Sequence, residues 1–189
     1  MAINFSQVKK ITIPEGSVKK ITDSAGNILW KEQSAEWHTI WEGSETITAT
    51  KSGNDAPVIS GTKENFVKTA AGTGKQPKIR ITFSYSNTNT DPSWTTEFLV
   101  SPLVVKPSVS SPFTIEAVNN FFDNTRLLAI RCKYTDNTKA NLDVGLWKKR
   151  DNNNNRIIFQ LKEYSSNDIT SYSGNFTLTF TITKIEQYY

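Results

Sequence analysis

The run Phe176-Thr177-Leu178-Thr179-Phe180-Thr181-Ile182-Thr183 alternates a large apolar residue with threonine without a break. Successive side chains of an extended chain point to opposite faces, whereas a helix would scatter the same residues around its surface. The run therefore reads as a β-strand with Phe176, Leu178, Phe180 and Ile182 on a core and the threonines toward solvent. Such a strand needs hydrogen-bonding neighbours and a second layer beneath its apolar face. Composition points the same way. The 189 residues include 23 Thr, 18 Ser and 17 Asn, while charged residues are only 21%. That balance favours strands and turns over helices. No apolar run approaches the ~18 residues of a membrane helix. The 10 Phe, 6 Tyr and 5 Trp are ample core material, which argues against disorder.

From Trp37 onward, strands are predicted at 37–42, 45–51, 56–60, 64–69, 78–86, 94–100, 113–118, 126–135, 142–149, 156–163 and 175–186. Gly, Asn, Asp, Ser or Pro separates them. The spacing suits an antiparallel β-sandwich or jelly roll. The stretch 148–156, KKRDNNNNR, reads as a hairpin tip, because asparagine tolerates left-handed backbone. Pro102, Pro107 and Pro112 make 101–112 an extended connection or a sheet edge. One helical turn is expected near Glu116–Asp123.

The N-terminal part repeats itself. VKKIT stands at 8–12 and again at 18–22, and Asn27-Ile28-Leu29-Trp30-Lys31 follows. Pro14-Glu15-Gly16-Ser17 and Asp23-Ser24-Ala25-Gly26-Asn27 are turn signals, the second closed by a left-handed glycine. Residues 7–31 are thus expected to form a small three-strand meander. A meander of this size cannot stand alone, so it must pack on the rest of the chain or on a partner. Residues 32–36 are a polar break. Two domains follow: an N-terminal β anchor (1–33) and a β-sandwich (34–189). The docking residues expected on the anchor are Lys9, Lys10, Ile11, Ile13, Lys19, Lys20, Ile21, Leu29 and Trp30. The plainer role of those lysines is to guard a strand edge.

Catalytic chemistry finds little to work with. His38 is the only histidine and Cys132 the only cysteine. His38 sits in the alternating run Trp37-His38-Thr39-Ile40-Trp41, which suits a strand histidine better than a general base. One Cys and one His cannot supply a zinc site, and neither Asp136-Asn137 nor Asp151 with Asn152–Asn155 has calcium-ligand spacing. Gly72-Thr73-Gly74-Lys75 lacks the earlier Gly and the following Ser or Thr of a phosphate loop. Catalytic residues, metals and cofactors are therefore expected to be none. Glycan binding is the more plausible small-molecule function. Trp94, Tyr164 and Tyr172 lie in or beside predicted loops, where an exposed ring can stack on a sugar. Net charge is +4, too weak and too scattered for a dedicated nucleic-acid binder. A lone cysteine makes no intrachain disulfide, and MAINFSQVKK carries no signal core, so synthesis in a cytoplasm is expected.

One resemblance sharpens this. Residues 11–31, ITIPEGSVKKITDSAGNILWK, with their P-E-G turn, V-K-K-I strand, D-x-x-G turn and L-W, resemble a leader found on virion proteins of tailed bacteriophages of Gram-positive and gut bacteria. Trp37-His38-Thr39-Ile40-Trp41-Glu42-Gly43 is similar to the opening of the β-domain that follows such leaders. The resemblance covers about 35–40 residues; over the rest the chain agrees in style only. It implies a non-enzymatic virion structural protein, made in the host bacterial cytoplasm and released by lysis. It further implies attachment to other virion proteins through the N-terminal part, a homo-oligomer with a trimer favoured, and a projecting β-domain. The expected place is the tail, neck or fibre apparatus, with capsid decoration or a head fibre as the alternative. A host-surface glycan is a further expected partner; nucleic acid and membrane are not.

Overall fold

A computed structural model of the chain describes residues 20–22, 25–31, 36–61, 63–70, 78–101, 104–105, 111–118, 125–151 and 156–188. The chain divides into two compact units, Met1–Ala35 and Glu36–Tyr189.

In the first unit, β1 (Lys20–Thr22) pairs antiparallel with β2 (Ile28–Lys31). The register sets Lys20 against Lys31 and Ile21 against Trp30, then slips at Thr22, which faces Ile28. Gly26 closes the turn at φ +83°, a conformation that costs glycine little and other residues much. Of the expected docking residues, Lys20 and Ile21 lie on β1, and Leu29 and Trp30 on β2. Lys9, Lys10, Ile11, Ile13 and Lys19, and with them the expected first strand of the meander, lie outside the described residues.

The second unit is an all-β sandwich. Its strands are β3 (Trp37–Lys51), β4 (Val58–Ser60), β5 (Lys63–Ala70), β6 (Lys78–Asn87), β7 (Trp94–Val100), β8 (Val104–Val105), β9 (Phe113–Val118), β10 (Thr125–Tyr134), β11 (Asn137–Asp151), β12 (Arg156–Ser165) and β13 (Phe176–Tyr188). One sheet has the order β4-β3-β13-β6-β9-β8 and the other β5-β12-β11-β10-β7. Every pairing is antiparallel.

The core lies between the sheets and follows the alternation. Phe176, Leu178, Phe180 and Ile182 of β13 are at most 2% exposed, and Ile47, Ile79, Ile81, Phe83 and Ile115 of the same sheet join them. Leu128, Ile130, Leu142, Val144, Leu146, Phe159 and Leu161 close the core from the other sheet. Phe83 sits at its centre, stacked 5.5 Å from Phe98, 5.5 Å from Phe113 and 5.4 Å from Phe180. Phe98 belongs to the five-stranded sheet, so these rings join the layers. Burying each such side chain stabilises the fold by roughly 1.5–3 kcal/mol.

Two local expectations are corrected. Segments 37–42 and 45–51 are one continuous strand, β3, although Gly43-Ser44 looks like a break. Trp41, on the same side of the strand, lies against Gly43: a Cβ there would come 2.9 Å from the indole. Glycine at 43 thus makes room for a ring inside a strand. Glu116–Val118 belong to β9, not to a helical turn, and 119–123 lie outside the described residues. Among the described residues, a 3-10 turn forms at Asn167–Ser171, where no element was expected, and buries Ile169. The 101–112 stretch does supply a sheet edge, β8. Asp151 pairs with Arg156, so β11 and β12 are antiparallel neighbours up to those residues, and 152–155 of the expected hairpin tip lie outside the described residues.

Candidate functional site

Strand β11 runs through the middle of the five-stranded sheet. Its Leu142, Val144 and Leu146 face the core, so Asn141, Asp143, Gly145 and Trp147 fall on the outer face. There Asp143 is only 1% exposed. A carboxylate is that well buried only when paired. Arg131 of β10, directly opposite, donates from Nε to Oδ1 at 2.7 Å and from Nη2 to Oδ2 at 2.9 Å. Arg126 donates from Nη1 to Oδ2 at 2.7 Å. The hydrogen bonds to Asp143 hold the Arg131 guanidinium above its ordinary pKa against the opposing effect of burial. Glu97 of β7 extends the row: its carboxylate lies 3.9 Å from Arg131 Nη1 and 3.3 Å from Lys133 Nζ.

Backbone register explains the reach of Arg126. It stands opposite Trp147, with the Ala129–Gly145 pair between it and Asp143. To bond Asp143, its side chain lies across that pair, and both residues are small. Gly145 is further required by close backbone approach, since a Cβ would fall 2.2 Å from the Leu128 carbonyl oxygen. A β-bulge after Arg126 turns Leu127 inward, so Leu127 and Leu128 are both buried. On the other flank, Tyr164 of β12 pairs with Asp143 and is 57% exposed. Lys162 Nζ lies 5.2 Å over the Trp147 ring. The outer face thus presents Glu97, Arg131, Asp143 and Tyr164 in one row across four strands.

The structure separates the three aromatics expected to bind glycans. Trp94 is 2% exposed and is corrected to a core residue. Its Nε1 donates to the Ser173 carbonyl at 2.8 Å, and its ring packs on Tyr134 and Phe176. Gly174 lies against that indole, since a Cβ there would be 2.3 Å from Nε1. Tyr172 is half-buried, its ring 4.3 Å from Tyr134 and its hydroxyl accepting from Asn137 Nδ2 at 2.9 Å. Tyr164 alone of the three offers an open ring. Asp143, Arg126 and Arg131 were not among the expected site residues. The signal they carry in the sequence is a carboxylate set between core positions in the apolar stretch Leu142–Trp147.

Lys51 anchors the loops around Trp94. It is 1% exposed, yet its ammonium donates to the carbonyls of Gly53 at 2.8 Å and Asp55 at 3.2 Å and lies 5.9 Å over the Trp94 ring. Burial lowers its pKa, with the Asp55 charge opposing. Gly53 in turn donates to Asn175 Oδ1 and accepts from the Gly174 amide. Cys132 is buried, and burial pushes its thiol up to about 11. His38 Nε2 lies 3.9 Å from Glu36 Oε1 at the start of β3. Among the described residues no group of three or more His, Cys, Asp or Glu is placed to hold a metal ion. Among them, too, no helix is long and apolar enough to cross a membrane.

Comparison with known protein families, characterised proteins and solved structures finds no match to this chain.

Proposed function

We propose that this chain is a non-enzymatic bacteriophage virion structural protein, docked through its N-terminal unit and displaying the β-sandwich. The observation that carries the reading is the leader-like segment at 11–31. The β1–β2 ribbon supports it: among the described residues these two strands pair only with each other. A two-stranded ribbon is marginal by itself, and its outer edges carry backbone donors and acceptors that need partners. Strand addition from another particle protein, or from neighbouring copies in a homo-oligomer, satisfies them. The tail, neck or fibre apparatus is the favoured place, and the head surface the alternative.

The test is deletion of residues 1–33. The fragment 34–189 is expected to fold, as read by circular dichroism, and to stay out of purified particles that incorporate the full chain. Incorporation of the fragment at the full-length level would overturn the anchor. Immunogold labelling of particles with the intact chain distinguishes tail from head.

A further inference from the structure

We propose that the outer face of the five-stranded sheet binds an acidic polysaccharide, through stacking on Tyr164 and ion pairing to the guanidiniums and lysines around it. The inference does not depend on the virion reading. Three observations carry it. First, a buried carboxylate clamped by arginines is a poor way to gain stability, because desolvation offsets the attraction. What the Asp143 clamp does achieve is to hold two guanidiniums in fixed orientation on a sheet, with their ordering already complete. Each guanidinium has more N–H donors than Asp143 consumes. Arg126 and Arg131 remain 36% and 24% exposed, so both guanidiniums can be reached from solvent. Second, Tyr164 is held beside this clamp by its pairing with Asp143, and its ring is open. A flat ring next to directional donors is the arrangement that recognises a sugar ring bearing a charge. Third, the charge has a sign. Among the described residues this face holds Arg126, Arg131, Lys133 and Lys162 against Glu97 and Asp143, and both carboxylates are already paired. An anionic polymer complements that excess; a neutral one does not.

The experiment is affinity electrophoresis of the full-length protein in gels containing polygalacturonate or, in parallel, neutral dextran. Retention is expected in polygalacturonate at low salt, weakening as salt rises, with none in dextran. Tyr164→Ala and Lys162→Gln are surface changes that leave the fold intact. Each is expected to weaken retention about tenfold, the size of one lost stacking or ionic contact. Lys184→Gln, on the other sheet, should retain normally. Absence of wild-type retention would overturn the proposal and leave the face to a protein partner. Undiminished retention of Tyr164→Ala, or an equal loss with Lys184→Gln, would overturn it by showing diffuse charge attraction.

Discussion

At Cys132 the environment of one thiol sets a pH dependence for the whole fold. The unfolded thiol ionises near 9.0, while the buried one holds its proton until about 11. Between those values the native state binds more protons, so stability falls as pH rises. The gap between them corresponds to on the order of 3 kcal/mol lost by pH 11. Urea unfolding of Cys132→Ala against wild type from pH 8 to 11 checks this: the two curves should converge in the alkaline range. Lys51 acts with the opposite sign, because its lowered pKa means the unfolded state binds the extra proton and stability rises with pH. Lys51→Met keeps the stem but leaves the Gly53 and Asp55 carbonyls without the ammonium. It is expected to cost about 1–3 kcal/mol at pH 7 by thermal unfolding and to loosen the 52–55 turn. Asp143→Asn removes the charge that two arginines share. It should destabilise by on the order of 3 kcal/mol, more than Arg126→Ala, whose side chain is 36% exposed. Midpoints of urea titrations with unchanged slope would establish that order. These residues leave at most a faint mark in the sequence. Trp94 shows why: its loop neighbourhood is plain from Asp91-Pro92-Ser93, but burial comes from Ser173, Gly174 and Phe176, which are distant in the chain.

Elements were far easier to read than sites. Strands β6, β9 and β13 follow from period-two alternation, because one face of each meets the core. Strand β11 extends beyond its apolar stretch because Asn137, Asn141 and Arg150–Asp151 are held by their pairing neighbours, a tertiary effect that local composition does not carry. The 3-10 turn at Asn167–Ser171 escaped for a related reason: it depends on Ser166, whose hydroxyl accepts the Asn141 amide and whose backbone N–H donates to the Asn141 carbonyl. On the six-stranded sheet the threonines that alternation places outward meet across strands. Thr46 and Thr181 hydroxyls lie 2.8 Å apart, Thr48 and Thr179 3.3 Å, Thr50 and Thr177 3.2 Å. Such cross-strand pairs contribute roughly 0.2–1 kcal/mol each. Thr179→Ala should therefore lower stability by less than about 1 kcal/mol, whereas Phe180→Ala, one residue on, should cost about 3–5 kcal/mol, read by the same denaturation assay.

At the scale of the sandwich, the chain crosses repeatedly between layers. Strands β3 and β4 lie in one sheet, β5 in the other, β6 back in the first and β7 in the second. Contacts are consequently long-range, and refolding should be slow, milliseconds to seconds rather than microseconds, by stopped-flow fluorescence of its tryptophans. The fold class was legible because alternation reports burial strand by strand. The strand order was not, since pairing partners such as β13 with β3 carry no local mark.

That order has a consequence for how the protein is made. Strand β13 lies between β3 and β6, yet it follows every other described strand in the chain. A nascent chain whose synthesis has reached β12 still presents both flanking strands with a gap between them. The sandwich closes only after residues 176–188 leave the ribosome, so a product interrupted before Phe176 remains an open sheet exposed to proteases.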